Sequence, residues 1–182
     1  MADKKHYIIT SITLGAIAAV SAGLIGLTNL ITEPTIKENE SKKISSGIKE
    51  IFGQNAKIFD EESWQSYHTS YLETAYLIVN EENNVELGYA FRTTGKNSYG
   101  KISLIVGFDA SDLSFKKLSI VANEQSYAST LVDNYINPLN GDKRDINDVS
   151  CGATYGAKLV RDMINQAGEN VATAKTVFEQ KR

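Results

Sequence analysis

The chain has 182 residues, a formal net charge of −3 and a single cysteine, Cys151. This length accommodates one membrane anchor and one ordinary domain. The negative balance does not suggest a nucleic-acid partner, and we expect none. A lone cysteine excludes an internal disulfide and leaves no thiolate set for a zinc or iron–sulfur site.

The two histidines, His6 and His68, lie on opposite sides of a long apolar segment. If that segment crosses a bilayer, the membrane separates them, which excludes a site built on a pair of histidines. A catalytic site around His68 alone stays formally open, although no motif marks it. Redox chemistry in this chain therefore requires a cofactor that needs neither thiolate nor imidazole ligands.

Residues 7–31, YIITSITLGAIAAVSAGLIGLTNLI, contain no charged residue. As a helix they span roughly 37 Å at about 1.5 Å per residue, enough to cross a hydrocarbon core of about 30 Å. Lys4 and Lys5 precede them, so the positive-inside rule predicts residues 1–6 in the cytoplasm and residues 32–182 outside a cell membrane that is crossed once. A cleaved signal peptide and a buried core helix are the alternatives, and the length of the run favours a retained anchor.

The segment after the anchor, residues 32–53, is predicted to be an exit helix and linker. Its apolar residues recur at near-helical spacing: Ile36, Ile44, Ile48, Ile51 and Phe52. Gly53 is suited to end this helix. Residues 54–182 are then predicted to form one extracytoplasmic domain, beginning with a loop over residues 55–69.

Four segments of the domain have the composition of β-strands: residues 71–80, 85–93, 101–109 and 115–122. The connections between them are a turn, a glycine-bounded loop and a second turn: residues 81–84, 94–100 and 110–114. Gly95 and Gly100 are expected to serve the glycine-bounded loop. Short connections between neighbouring strands favour an antiparallel meander.

Three helices are predicted after the strands: residues 131–136, 155–167 and 171–180. Pro138, Asn140 and Gly141 are expected to break the first helix, and Gly168 to end the second. The predicted fold class is therefore α+β: a transmembrane helix followed by an extracytoplasmic domain with an antiparallel sheet and flanking helices.

The stretch DVSCGATYG, residues 148–156, leads into the second of these helices. Thr154 stands at the expected N-cap, where its hydroxyl accepts a hydrogen bond from a first-turn amide. The unpaired N–H groups and partial positive charge of a helix N-terminus favour a phosphate. Gly152 and Ala153 remove side-chain bulk, so the backbone approaches a bulky anion closely. Local chemistry thus supports a phosphate at Thr154 and leaves a purely structural N-cap open.

The motif D-x-x-C-G-A-T, Asp148 to Thr154, resembles the flavinylation motif D-x-x-[ST]-G-A-T of the FMN-binding domain family. That family includes the G subunit of Rnf-type ion-translocating oxidoreductases and the related C subunit of the Nqr sodium pump. Three further stretches are similar to the Rnf G class: residues 27–39 (LTNLITEPTIKEN), 86–109 and 120–124 (IVANE). The chain length also fits that class.

The resemblance implies that a phosphoester joins Thr154 to FMN, which a separate flavin transferase attaches from FAD. It implies a redox subunit that exchanges electrons with other membrane redox subunits of an Rnf-like complex, rather than an enzyme acting alone. No catalytic or metal-binding residue is assigned. The residues expected at the flavin are Thr154, Gly152, Ala153, Cys151, Tyr155, Asp148 and Glu124.

The sequence departs from the family pattern at three places. Cys151 replaces the usual serine or threonine, and Gly156 stands where serine or threonine is common. Residues 124–129, EQSYAS, replace E-T-P-G-L-G in a loop expected near the flavin. Two alternative functions stay open: a stand-alone flavinylated protein for extracellular electron transfer or an exported reductase, and a non-redox exported sensor or interaction module without flavin.

Other side chains near Thr154 have both a functional and a structural interpretation. The aromatic residues that could flank an isoalloxazine ring, or simply belong to core and surface, are Tyr99, Tyr127, Tyr155 and Trp64. Lys158 could neutralise a phosphate or be a solvated lysine. Asp148 could hold a magnesium ion for the transferase or cap its own loop.

Overall fold

The computed structural model describes residues 2–67 and 69–181, and it describes their side chains except those of residues 2–5, 27–31 and 37. His68, considered above as a lone catalytic residue, lies outside the described residues. The chain divides into two compact units, Met1–Lys42 and Lys43–Arg182.

Helix α1, Ala2–Phe52, contains the whole described part of the first unit. Within it, His6–Gly26 is long and apolar enough to cross a membrane. Its side chains are not covered by protein, as Ile12 (67% exposed) and Leu14 (68% exposed) illustrate. The predicted N-terminal apolar helix is therefore confirmed as a candidate membrane span.

The end of α1 belongs to the second unit. Gly53 adopts a φ of +104° and its N–H donates to the carbonyl of Lys49 at 2.9 Å, which ends the helix where the sequence predicts. Ile44, Ile48 and Ile51 are buried against one face of the sheet. The helical spacing of these isoleucines therefore marks the face that packs on the domain.

The second unit is built on a five-stranded antiparallel sheet in the order β1-β2-β3-β4-β5. The strands are β1 Ala56–Ser63, β2 Leu72–Asn80, β3 Glu86–Asn97, β4 Gly100–Asp109 and β5 Phe115–Asn123. The predicted antiparallel meander and the α+β class of the domain are confirmed.

Two predicted loops are wrong. Residues 55–69 contain β1, an edge strand that includes three consecutive acidic residues, 60–62, and whose register shifts between Ile58 and Asp60. Residues 94–100 largely continue β3, and only Ser98 and Tyr99 form the turn to β4. Gly95 therefore does not serve a turn: it lies in the strand, where a Cβ would meet Leu159 Cδ1 at 2.8 Å.

The helical segment before the motif is longer than predicted. α2 Ala128–Leu131, a π-helical turn Val132–Ile136 and α3 Asn137–Asn140 follow one another without interruption. Pro138 does not break the segment: it lies in the first turn of α3, which begins directly after the π-helical turn Val132–Ile136. The segment ends at Gly141, as expected.

A single helix, α4 Thr154–Gln180, replaces the two predicted C-terminal helices. Gly168 does not end it, since the helix packs on the sheet on both sides of that residue. A Cβ at Gly168 would meet only the ring of Phe108, at 3.6 Å, so the position is a small contact residue.

Helices cover both faces of the sheet and one of its edges. α4 packs on the face opposite to Ile48, with Val160 and Met163 fully buried. At the edge strand β5, the Asn140 amide accepts from the N–H of Leu118 at 2.9 Å and donates to its carbonyl at 2.8 Å. This side chain replaces a neighbouring strand and closes the edge.

Candidate functional site

Thr154 is the first residue of α4, and the N-cap is Ala153. The prediction of Thr154 as N-cap is therefore wrong by one residue, because the Ala153 carbonyl accepts the first helical hydrogen bond, from Ala157 N–H at 3.0 Å. Ala153 has no side-chain cap, and the first three N–H groups of the helix have no intrahelical acceptor. The Thr154 hydroxyl is exposed and makes no hydrogen bond within residues 2–67 and 69–181.

A cavity of about 280 Å³ opens beside Thr154. Its walls come from the β3–β4 turn, the segment after β5, α2 and the start of α4. The lining residues are Tyr99, Gln125, Tyr127, Leu131, Gly152, Ala153, Thr154, Tyr155 and Gly156. Of the residues expected at the flavin, this set brings together Thr154, Gly152, Ala153 and Tyr155.

Three tyrosines surround the mouth of the cavity. The ring of Tyr99 lies 5.4 Å from that of Tyr155 in a stacked arrangement, and 6.0 Å from that of Tyr127 in a tilted one. The exposed fractions of Tyr99, Tyr127 and Tyr155 are 38%, 56% and 63%. Large aromatic rings with this much exposure offer stacking surface to a flat ligand.

Residues 124–129, which replace E-T-P-G-L-G, contribute two of the lining side chains, Gln125 and Tyr127. Gln125 is buried, and its Nε2 donates to the carbonyl of Gly100. The sequence placed residues 124–129 near the expected flavin but did not single out Gln125 within them. It is the one buried polar side chain among the lining residues.

Gly156 has a steric reason to be glycine. A Cβ there would lie 3.0 Å from Leu131 Cδ2 and 3.4 Å from Gln125 Oε1. Leu131 and Gln125 therefore occupy the space that a serine or threonine side chain would need.

Three residues expected at the flavin do not line the cavity. Cys151 is buried in the core beside it, and Glu124 is exposed. Asp148 is exposed, accepts from Ser150 N–H at 3.2 Å and lies 3.6 Å from Arg144. Asp148 thus caps its own loop, and no cluster of metal-binding side chains occurs in the described part of the chain.

The remaining candidates differ in their surroundings. Trp64 is fully buried and stacks on Tyr67 at 4.1 Å, so it is a core residue away from the cavity. Lys158 is exposed, and its ammonium lies 6.0 Å from the centre of the Tyr155 ring. This geometry is a weak cation–π contact that keeps a positive charge one helical turn from Thr154.

Residues 1–51 match the family model of the RnfG N-terminal region. This part of the chain is thus similar to the N-terminal region of RnfG. The match covers α1 to its last turn, including the candidate membrane span His6–Gly26. The cavity beside Thr154 lies beyond the matched residues. No curated protein matches the chain.

Proposed function

We propose that this RnfG-type subunit is a membrane-anchored electron carrier with FMN joined to Thr154 by a phosphoester. One observation carries the proposal: the exposed Thr154 hydroxyl stands at the uncapped start of α4, beside a cavity with three tyrosines at its mouth. An acceptor hydroxyl, an anion site and a stacking surface therefore coincide.

The start of α4 fits the phosphate of the cofactor. The N–H groups of Thr154, Tyr155 and Gly156 precede the first helical hydrogen bond and lie at the positive end of the helix dipole. Gly152, with a φ of +82°, is exposed and brings no side chain to this point. An anion bound there needs no basic side chain in direct contact.

The cavity fits part of the ring system. Its volume of about 280 Å³ lies just below the range of roughly 300–1,000 Å³ for small-molecule sites. The ring would therefore extend to the surface, where Tyr99, Tyr127 and Tyr155 can stack against it. An edge left in solvent suits a carrier that must exchange electrons with other proteins.

Attachment transfers the FMN part of FAD to the Thr154 hydroxyl. The Thr154 oxygen forms a bond to the flavin-side phosphorus of FAD, the pyrophosphate bond breaks, and AMP leaves. The hydroxyl proton passes to a base of the flavin transferase or to solvent. Flavin, once bound, supplies one- and two-electron transfer chemistry, while the chain holds, orients and shields it.

The carrier is proposed to work with other membrane redox subunits of an Rnf-like complex. Residues 1–6 would lie in the cytoplasm, residues 7–31 would cross the membrane, and residues 32–182 would lie outside, with residues 54–182 forming the flavin domain. Outside the cell, a covalent bond prevents the loss of a dissociated cofactor.

The test is the intact mass and visible spectrum of the full chain, produced in cells with a flavin transferase. Wild-type protein is expected to gain the mass of one FMN less one water and to keep flavin absorbance after denaturation. Thr154→Val should lose both. Thr173→Val is the matched control, because Thr173 is an exposed threonine on the same helix.

Two other results would point elsewhere. Colourless wild-type protein with two different active transferases would contradict the proposal and favour a non-redox exported module. Flavinylated protein that forms no complex with other Rnf-type subunits would support a stand-alone carrier for extracellular electron transfer or an exported reductase.

A further inference from the structure

Residues 141–153, here called the acceptor loop, connect α3 to Thr154. The loop contains no helix or strand, so its shape depends on other contacts. Four of its backbone carbonyls accept hydrogen bonds from side chains: those of Ile146, Asp148, Ser150 and Cys151. Hydrogen bonds spaced along the loop restrict the position of Thr154, the residue that follows it.

Arg144 makes the largest share of these contacts. Its Nη1 donates to the carbonyl of Asp148 at 3.0 Å and to that of Ser150 at 3.2 Å, and its Nη2 also donates to Ser150 at 3.2 Å. The guanidinium lies 3.6 Å from the Asp148 carboxylate, and the side chain is only 19% exposed. A rigid planar fork is suited to hold two carbonyls in a fixed relation.

The π-helical turn before α3 supplies the other two hydrogen bonds. Asn134 Nδ2 donates to the carbonyl of Cys151 at 3.1 Å, and the buried Tyr135 hydroxyl donates to that of Ile146. Burial raises the pKa of Tyr135, so the phenol stays a neutral donor. The Arg144 guanidinium lies 6.0 Å from the centre of the Tyr135 ring, so these two side chains contact each other beside the loop.

We propose that Arg144 is a positioning residue for flavin attachment, supported by Asn134 and Tyr135. Arg144 holds the loop carbonyls before Thr154 and so fixes where the Thr154 oxygen meets the flavin-side phosphorus of FAD. This inference rests on the proposed function. Arg144 donates no group to the reaction, in which the Thr154 oxygen replaces AMP on phosphorus.

The test measures flavinylation kinetics with full-length protein in detergent, purified flavin transferase and FAD. Arg144→Ala is expected to lower kcat about 10- to 100-fold, the usual cost of a misplaced reacting atom. The KM for the acceptor protein should change by less than about threefold, because the surface that binds the transferase remains. Emission of the buried Trp64 reports whether the domain stays folded.

Arg161→Ala is the matched control. Arg161 is also partly buried, but its guanidinium donates to neighbouring Asp162 at 2.8 Å and makes no hydrogen bond to the loop within the described residues. The Arg161→Ala protein should keep the wild-type kcat. Asn134→Ala removes a single hydrogen bond, made by an exposed side chain. It should lower kcat by a smaller factor than Arg144→Ala does.

Three results would overturn the inference. The first is an Arg144→Ala protein with wild-type kcat, and the second is a rise in KM alone. The third is an unfolded Arg144→Ala protein together with wild-type kcat for Asn134→Ala. Wild-type protein that takes up no flavin would instead remove the proposed function, and the positioning role with it.

Discussion

Gly100 is the residue at which backbone geometry most directly supports the cavity. It has a φ of +132°, and a Cβ would lie 2.1 Å from the carbonyl oxygen of Glu124. Gly100→Ala is expected to lower the free energy of unfolding of residues 33–182 by more than the roughly 1–3 kcal/mol of a strained backbone alone, because the Cβ also clashes with the Glu124 carbonyl. It should also displace Gln125 and Tyr127, which follow Glu124. Urea denaturation and the yield of covalent flavin measure the two effects.

Gly53→Ala is the control for this prediction. Gly53 has a φ of +104°, but a Cβ there would meet nothing within 4 Å. Its substitution carries backbone strain without a clash, so stability should fall by less and flavin yield should not change. Equal losses in both variants would show that the close approach to Glu124 has no special role.

Asp109 gives the domain a pH-dependent contact. A hydrogen bond from Lys116, followed by those from Ser111, lowers the pKa of its carboxyl to about 2. Since the unfolded pKa is about 3.9, the ionised form stabilises the domain above about pH 4, and this stability is lost as pH falls through about 2.

Asp109→Asn should therefore cost less than about 1 kcal/mol at pH 7, because both partners are about one-third exposed. The difference from wild type in urea denaturation should shrink between pH 4 and pH 2. A difference that stays constant over this range would contradict a role for the ionised carboxylate.

At the scale of elements, α4 offers a direct test of helix continuity. Gly168 lies inside this helix, and its Cβ would make ordinary contact with Phe108 at 3.6 Å. Gly168→Ala is expected to raise the free energy of unfolding by about 0.5–1 kcal/mol, because alanine loses less backbone entropy in a helix. Gly156→Ala in the same helix should not stabilise the domain, since its Cβ would lie 3.0 Å from Leu131 Cδ2 and this side chain would have to shift. Denaturation midpoints of the two variants decide this, and destabilisation by Gly168→Ala would contradict a continuous helix.

The elements that sequence reasoning predicted are those with an uninterrupted apolar pattern. The meander was predictable because its central strands are rich in β-branched and aromatic residues. β1 was missed because three consecutive acidic residues, 60–62, interrupt its apolar pattern, and the end of β3 because Gly95 suggests a turn. Gly95 is small because Leu159 packs against it. This contact joins residues far apart in the sequence, so no local pattern predicts it.

The candidate site was predictable only where its residues lie close together in the sequence. The motif located Thr154, Gly152, Ala153 and Tyr155, which are consecutive or nearly so. Gln125 and Leu131 reach the cavity only through tertiary packing, and the N-cap position depended on which carbonyl accepts the first helical bond. Arg144 was not selected, because its partners are backbone carbonyls, which a sequence does not distinguish.

For the whole molecule, the positive-inside rule predicts that the flavin domain lies outside the cell. The measurement uses a Cys151→Ala background with Lys117→Cys, an exposed position on β5. A membrane-impermeant thiol reagent should label this cysteine in intact cells, whereas Ala2→Cys in the same background should react only after the cells are broken. The reverse pattern would contradict the proposed orientation.

The most direct measurement is fragmentation mass spectrometry of the tryptic peptide 145–158, taken from full-length protein produced with a flavin transferase. This peptide lies between Arg144 and Lys158 and contains four side chains that could accept a flavin phosphate: Ser150, Cys151, Thr154 and Tyr155. We predict a single added FMN, less one water, on Thr154. A modification on another of these residues, or an unmodified peptide from cells with a demonstrably active transferase, would contradict Thr154 as the site of flavin attachment.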